Sequence, residues 1–191
     1  MRLGVLGGTF DPPHVGHLLA ASDAYEALSL DRLAFVPAAV PPFKSRTVRA
    51  TAEQRLRMLE LTIGGDARFE ASRLELDRSG LSYTVDTLAE LAASAPGVSL
   101  FLLIGEDLAG QFASWRDSER IAQLAQVVVL ARGEAAAASA FEGAVPMTRL
   151  GTRRVDISST EIRDRIQGNR PIHGFVTDAV AAFIDAAGLY R

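Results

Sequence analysis

Short apolar runs alternate with segments of helical periodicity along most of the chain. The runs at residues 2–6, 33–36, 98–104 and 127–130 are predicted to be buried strands, because each is short and most end at glycine or proline. Residues 98–104 (VSLFLLI) are almost wholly apolar, which is typical of a central parallel strand buried on both faces. Residues 68–76 alternate loosely between apolar and polar side chains and predict one more strand.

Other segments carry apolar residues at helical spacing or open on capping residues. They predict helices over 15–28, 51–63, 84–95, 118–125, 160–167 and 178–187. The second helix begins with a capping-box pattern, Thr51-Ala52-Glu53-Gln54, and ends at Gly64-Gly65. Residues 38–50 contain Pro41-Pro42 and predict no regular structure, whereas 134–140 (EAAAASA) predict a surface loop or a short helix.

The order of these elements predicts the fold class. Strands that alternate with helices form βαβ units, which build a parallel sheet covered by helices on both faces. We therefore predict an α/β protein, a Rossmann-like three-layer sandwich with a central, mostly parallel sheet. The length of 191 residues suits one domain over residues 1–191. In such sheets ligands bind at the carboxyl ends of the strands.

Composition narrows the classes of function. The 20 basic and 23 acidic residues give a net charge of −3, so no overall basic field for nucleic acid or for an anionic membrane is expected. Cysteine is absent, which excludes disulfides and thiol nucleophiles. No apolar run reaches the roughly 18–20 residues that span a bilayer, and the first residues lack a signal-peptide pattern. A soluble, cytoplasmic protein is the expectation.

The segment most informative about chemistry follows the first strand directly: Gly7-Gly8-Thr9-Phe10-Asp11-Pro12-Pro13-His14-Val15-Gly16-His17. Its glycines allow backbone to approach a ligand, and the helix that follows offers unpaired N–H groups to an anion. His14 and His17 are three residues apart and share one face of the first helical turn, with Gly16 leaving room between them. The segment indicates an anion site, whereas the alternative is a tight turn with two surface histidines. A zinc site is not expected, because the one other histidine is His173 and no cysteine is present.

A second candidate anion site opens the helix predicted after residue 157. Ser158, Ser159 and Thr160 start this helix, and Arg163 lies one turn further on. Hydroxyls and N–H groups at a helix N-terminus bind phosphate, and arginine adds a fork of donors. The same residues could equally form an ordinary helix cap.

These motifs, taken in order, resemble a known family. The first motif is similar to that of the nucleotidyltransferase superfamily, whose hallmark is His-x-Gly-His, and more closely to that of bacterial nicotinate-mononucleotide adenylyltransferases. The resemblance continues through the following segments: Pro41-Pro42-Phe43-Lys44, Arg55-Leu56-Arg57-Met58, Ser82-Tyr83-Thr84-x-x-Thr87, residues 101–108 (FLLIGEDL) with Trp115, Arg132-Gly133, and Ile157-Ser158-Ser159-Thr160-x-Ile162-Arg163. The matches span residues 3 to 163.

The resemblance implies transfer of AMP from ATP to nicotinate mononucleotide, which yields deamido-NAD and pyrophosphate, with Mg²⁺ held mainly by the nucleotide and water. It implies charge neutralisation at the phosphates by His14, His17, Lys44, Ser159 and Arg163. It implies an ATP side formed by Gly8, Thr9, Phe10, Gly16, Gly105, Asp107, Ser158, Ser159 and Thr160. It implies a nicotinate side formed by Tyr83, Thr84, Trp115 and Arg132, with Trp115 stacked on the pyridine ring. A lone tryptophan can equally be a core residue.

Two positions depart from the family pattern. Phe43 stands where the family has histidine, and Glu106 stands where a small residue is usual. The side chain of Glu106 could crowd the ribose site or face away from it. Two alternatives stay open: a related adenylyltransferase for nicotinamide mononucleotide or phosphopantetheine, and a nucleotide-binding regulator without catalysis. The expected partners are small-molecule substrates, and the sequence leaves homo-oligomer formation open.

Overall fold

A computed structural model describes residues 1–40, 48–133, 139–141 and 146–191. One sheet of seven strands has the order β3-β2-β1-β4-β5-β7-β6. The strands are β1 (Arg2–Gly8), β2 (Arg32–Pro37), β3 (Phe69–Ala71), β4 (Ser99–Gly105), β5 (Ala125–Arg132), β6 (Ser139–Phe141) and β7 (Met147–Thr152). All neighbours pair in parallel except β6 and β7, which are antiparallel.

Helices join the strands in the alternation that the sequence predicts. They are α1 (Val15–Ala27), α2 (Ala52–Ile63), α3 (Thr84–Ser94), α4 (Glu106–Ala109), α5 (Ser118–Leu124), α6 (Ser159–Gln167) and α7 (Asp178–Ala186). A short 3₁₀ turn covers Phe112–Ser114. In the described ranges, no helix is long and apolar enough to cross a membrane.

The sheet separates two hydrophobic cores. On one face, Val85 of α3 and Ile121 of α5 pack with strand residues such as Leu102. On the other face, Ala21 of α1 and Leu59 of α2 pack with the alternate strand residues. Alternate side chains of a strand point to opposite faces, so the apolar run of β4 supplies both cores. The predicted three-layer α/β fold is confirmed.

A third cluster lies between α2, α6 and α7. Met58, Ile162, Val180 and Ile184 are buried in it, and Tyr190, which follows α7, closes it. The helix α6 is therefore anchored on its apolar side by packing. Its N-terminus faces the edge of the sheet where β1 ends, as the contacts given below show.

The local signals at the start of α2 act as predicted. The hydroxyl of Thr51 accepts a hydrogen bond from the Gln54 N–H at 3.2 Å, and the Gln54 amide oxygen accepts one from the Thr51 N–H at 2.9 Å. Gly64, with φ of 58°, ends the helix in the left-handed conformation. Both orphan donors of this helix start are thus satisfied within the motif.

The sequence prediction differs from the structure at three strands, β3, β6 and β7. The strand predicted over 68–76 is confined to Phe69–Ala71, because residues from Arg73 onward form a turn in which the Leu76 N–H donates to the Arg73 carbonyl at 2.7 Å. Ser139 and Ala140, predicted in a loop or short helix, belong to β6. The strand β7 was not predicted at all.

All parallel strands end at the same edge of the sheet. The Gly7-Gly8 end of β1 lies between the end of β2 at Pro37 and the end of β4. Loops and helix N-termini follow at this carboxyl edge, where the sequence predicts the ligand site.

Candidate active site at the carboxyl edge of the sheet

His14 and His17 form a stacked pair at the beginning of α1. Their ring centroids are 3.7 Å apart with an angle of 30° between the planes. His14 is the residue that precedes the helix, and a Cβ placed on Gly16 would lie only 3.0 Å from its Nδ1. A side chain at residue 16 would therefore push the imidazole away, so the glycine does leave the room that the motif predicts.

One hydrogen bond sets the tautomer of His17. The His14 N–H donates to Nδ1 of His17 at 3.2 Å, so this nitrogen carries no proton and Nε2 carries it in the neutral ring. The edge of the Phe10 ring, with its centroid 5.0 Å away, holds the other side of the imidazole. His17 is therefore a fixed hydrogen-bond donor through Nε2.

Both imidazoles are neutral at physiological pH in the unliganded protein. Burial, together with the positive charge of Arg132, lowers the pKa of His14 to about 4. Burial, repulsion from His14 and the charge of Arg132 lower the pKa of His17 well below its ordinary value. A neighbouring anion would act in the opposite direction, because it favours the charged imidazole.

The lowered pKa values of His14 and His17 predict that the folded protein loses stability as the pH falls. A histidine that binds protons less readily when folded destabilises the fold as pH falls below about 6.5, and the loss ends near the folded pKa of about 4. For His14, buried at 7% exposure, the free energy of unfolding should fall by about 2 kcal/mol between pH 7 and pH 5. Urea titrations at both pH values should show a smaller fall for His14→Gln than for the wild type. The exposed His173 gives the control variant His173→Gln, and an equal fall in all three proteins would contradict the assignment.

The N-terminus of α6 docks on the loop that precedes the histidine pair. The Ser159 hydroxyl donates to the Pro12 carbonyl at 2.7 Å. The Arg163 guanidinium donates to the Asp11 carbonyl at 2.7 Å and to the Thr160 hydroxyl at 3.1 Å. Ser158 caps the helix by accepting from the Glu161 N–H. The two segments predicted as separate anion sites are thus brought together, and Ser158 is also an ordinary helix cap.

A cleft of about 410 Å³ opens at the end of β1, where Gly7, Gly8 and Thr9 line it. Among its described lining residues there is none from α1 or α6, so the histidine pair, Gly16, residues 158–160 and Arg163 lie outside it. Of the predicted residues, Gly8, Thr9, Tyr83, Thr84, Asp107 and Trp115 line it. The partly buried indole of Trp115 packs on Phe112, with ring centroids 5.3 Å apart, and faces the cleft. It therefore contributes to the core and to the cleft wall at once, which combines the two alternatives for a lone tryptophan.

Several predicted residues lie elsewhere. The ring of Phe10 is buried in the core, and Arg132, at the end of β5, acts by its charge on the histidine pair and does not line the cleft. Gly105 lies beneath the Asp107 carboxylate, whose Oδ1 would be 2.5 Å from a Cβ at residue 105. Phe43 and Lys44 lie outside the described residues.

The departure at Glu106 leaves the cleft open. Its carboxylate forms an ion pair with the guanidinium of Arg149 on β7, and Glu106 is exposed. It is not among the residues that line the cleft. Of the two alternatives for this side chain, the structure supports the one in which it faces away.

Sequence reasoning missed Arg55 and Arg116. Arg55 is 1% exposed and donates to the carbonyls of Thr9 at 2.8 Å and Ala38 at 2.7 Å, so it ties the ends of β1 and β2 together. The sequence feature that could have identified Arg55 is its place among the apolar, buried positions of α2. Arg116 lines the cleft with its guanidinium 4.6 Å from the centre of the Tyr83 ring, and no local pattern distinguishes it from a solvated arginine.

The fold and this edge together define an α/β protein with a candidate anion site at the carboxyl edge of its sheet. Two helix N-termini, of α1 and α6, meet at one glycine-containing loop at the end of a central parallel strand. Such helix starts present N–H groups and a partial positive charge to anions. The cleft at the end of β1 offers an aromatic wall formed by Tyr83 and Trp115.

Known proteins agree with this class. A family model described as cytidylyltransferase-like matches residues 5–165. A relative from Gemmatimonas aurantiaca is 43% identical over 100% of this chain and 93% of its own, and one from Thermus thermophilus is 46% identical over the whole of both chains. Both are named as probable nicotinate-nucleotide adenylyltransferases. The structure of Plasmodium falciparum nicotinic acid mononucleotide adenylyltransferase complexed with NaAD is similar in fold, with a TM-score of 0.79, 17% identity, and coverage of 99% of this chain and 97% of that one.

The chain belongs to the cytidylyltransferase-like family, as the motifs predict.

Proposed function

We propose that this protein transfers AMP from ATP to nicotinate mononucleotide and so forms deamido-NAD and pyrophosphate. The observation that carries the proposal is the meeting of the histidine pair and the α6 N-terminus on one loop, beside a cleft with an aromatic wall. The names of the full-length relatives support the same reaction. They also favour nicotinate mononucleotide over phosphopantetheine as the acceptor.

The reaction needs positioning and charge neutralisation more than proton transfer. A phosphate oxygen of nicotinate mononucleotide, already anionic at neutral pH, attacks the α-phosphorus of ATP, and the bond to the bridging oxygen of the β-phosphate breaks. Pyrophosphate leaves with the electron pair of that bond. Since the nucleophile carries no proton to remove, the histidines act as donors rather than as bases.

Each phosphate-facing group has a distinct part in this scheme. His17 donates from Nε2 to oxygens of the α-phosphate, and His14 supports it through the backbone bond that fixes its tautomer. Arg163 and the N-terminus of α6 stabilise the departing pyrophosphate. Arg132 adds positive charge on the histidine side, and Lys44 adds a further point charge. Gly8, Thr9, Gly105 and Asp107 form the adenosine side, with the backbone of Phe10.

Magnesium would arrive with the nucleotide. In the described part of the chain no group of three or more histidine, aspartate or glutamate side chains could hold a metal ion. We infer that the substrate is MgATP, with the ion coordinated by phosphate oxygens and water. The ion would lower the negative charge of the triphosphate.

The nicotinate carboxylate would be recognised at the other end of the cleft. Backbone N–H groups around Tyr83 and Thr84 can donate to it, and among the described residues that line the cleft Arg116 is the basic one. The acids Asp86 and Asp117 lie 3.8 and 3.9 Å from this guanidinium and balance its charge in the free protein. A site rich in donors favours the acid, because the amide would turn its NH₂ toward other donors.

A bacterial enzyme with these substrates would work in the cytoplasm. The single-domain organisation over residues 1–191 stays a prediction from the sequence.

Trp115→Ala is the variant that tests the mononucleotide side. Stacking of the pyridine ring on one aromatic face is worth about 1–3 kcal/mol, so kcat/KM for nicotinate mononucleotide should fall by roughly 5- to 150-fold. The KM for ATP should stay within about twofold of the wild type. Trp115→Phe keeps an aromatic face and should recover most of the loss. Equal loss for both substrates, or no loss in a folded variant, would remove the indole from substrate binding.

A further inference from the structure

The buried carboxylate of Asp11, in the loop between β1 and α1, joins three segments of the chain. Its side chain is 2% exposed. Oδ2 accepts from the Arg49 N–H at 2.8 Å, and Oδ1 accepts from the Ala50 N–H at 3.0 Å. The third donor is the hydroxyl of Tyr190, at 2.7 Å from Oδ1. Asp11 therefore joins the loop after β1 to the segment before α2 and to the residues that follow α7.

Tyr190 reaches this junction through the packed cluster of α2, α6 and α7. It is 5% exposed and has a positive φ of 68°. Burial, its hydrogen bond to Asp11 and the charge of that carboxylate raise the pKa of the Tyr190 hydroxyl, so it remains a donor throughout the working pH range. Arg55 and Arg163 are the cations that face it.

The main chain of Asp11 contacts Arg163, the arginine that we propose binds phosphate. The Arg163 guanidinium donates to the Asp11 carbonyl, and the next carbonyl, of Pro12, accepts from Ser159. A rotation of Asp11 would move both acceptors together. The hydroxyl of Tyr190 opposes such a rotation, because it donates to Oδ1 of the same residue.

We propose that Tyr190 is a positioning residue for adenylyl transfer, acting through Asp11 on the alignment of Arg163 and Ser159. The inference rests on the proposed function. It assigns a role in the reaction to a residue that lies in no motif and does not line the substrate cleft.

Tyr190→Phe tests this role, because it removes the hydroxyl and keeps the ring. A hydrogen bond to a charged group is worth enough to expect kcat to fall by about five- to tenfold, with the KM for nicotinate mononucleotide within about twofold. Tyr25→Phe is the matched control, since its hydroxyl makes only a 3.5 Å bond to the exposed Asp31 carbonyl. It should leave both constants unchanged.

A double-mutant cycle separates positioning from a general loss of structure. If Tyr190 acts through Asp11 on Arg163, then Tyr190→Phe in an Arg163→Lys background should lower kcat by less than about twofold. The proposal would be overturned if Tyr190→Phe lowered kcat in the Arg163→Lys background by the same factor as in the wild type. It would also be overturned if Tyr190→Phe alone kept the wild-type kcat. Rates are compared at a temperature where circular dichroism shows every variant folded. Should Tyr190→Phe be unfolded there, Asp11→Asn takes its place in the cycle under the same criterion. A wild-type protein that makes no deamido-NAD would instead refute the proposed function.

Discussion

His17→Ala is expected to lower kcat by about 10²–10³-fold, which corresponds to the loss of one preorganised transition-state donor. The structure fixes this donor from two sides, by the His14 N–H on Nδ1 and by the edge of the Phe10 ring. Its Nε2 proton therefore points in one direction before substrate binds. The effect on folding should be small, because the imidazole makes no hydrogen bond beyond that first helical turn in the described structure.

The control for this variant is His173→Ala. The imidazole of His173 is exposed and lies 3.4 Å from the Asp178 carboxylate, and His173 does not line the cleft. Steady-state pyrophosphate release and a thermal melt should be measured for both proteins. Turnover like that of the wild type in folded His17→Ala would exclude this histidine from the mechanism.

Arg163→Lys is expected to lower kcat/KM for ATP by about 10- to 100-fold. The guanidinium donates at the same time to the Asp11 carbonyl and the Thr160 hydroxyl, which leaves its other N–H groups for phosphate oxygens. A lysine keeps the positive charge, but its single ammonium cannot bridge the loop, the helix start and a phosphate together. The loss should therefore appear although the net charge is unchanged.

Arg165→Lys on the same helix is the matched control. That guanidinium donates to the Pro171 carbonyl and stacks on Phe175, and Arg165 does not line the cleft. It should retain ATP kinetics like those of the wild type. Arg163→Lys with unchanged constants would mean that the bidentate geometry has no part in binding ATP.

The sequence predicted the elements whose signal is local. The runs that became β1, β4 and β5 are apolar because both faces of the sheet are covered, and the capping box of α2 satisfies its own backbone groups. The strand β7 (MTRLGT) was not predicted from the sequence. Most of its side chains are half-buried, so it has neither an apolar run nor a clear alternation of apolar and polar residues. Its structure comes from pairing with β5, a partner that local sequence does not reveal.

The same distinction holds for the site. The histidine pair and the start of α6 were predictable because their spacing along the chain already determines their geometry. Asp11 and Arg55 stand in the quoted motifs and Tyr190 does not, but none of the three was given a role. Their roles depend on contacts between residues as far apart as 11 and 190. Arg116 was not predicted because its contact in the cleft is with the ring of Tyr83, which lies far away in sequence at the start of α3.

The most direct test of the central claim compares acceptors in one assay. Purified wild-type protein is given MgATP with nicotinate mononucleotide, nicotinamide mononucleotide or phosphopantetheine, and kcat/KM is measured from pyrophosphate release. The account predicts deamido-NAD as the product and an efficiency at least roughly tenfold higher for the acid than for the amide, or about 1.4 kcal/mol. Equal efficiency with acid and amide would contradict the assignment of the substrate, and no pyrophosphate from any acceptor would contradict the transferase itself.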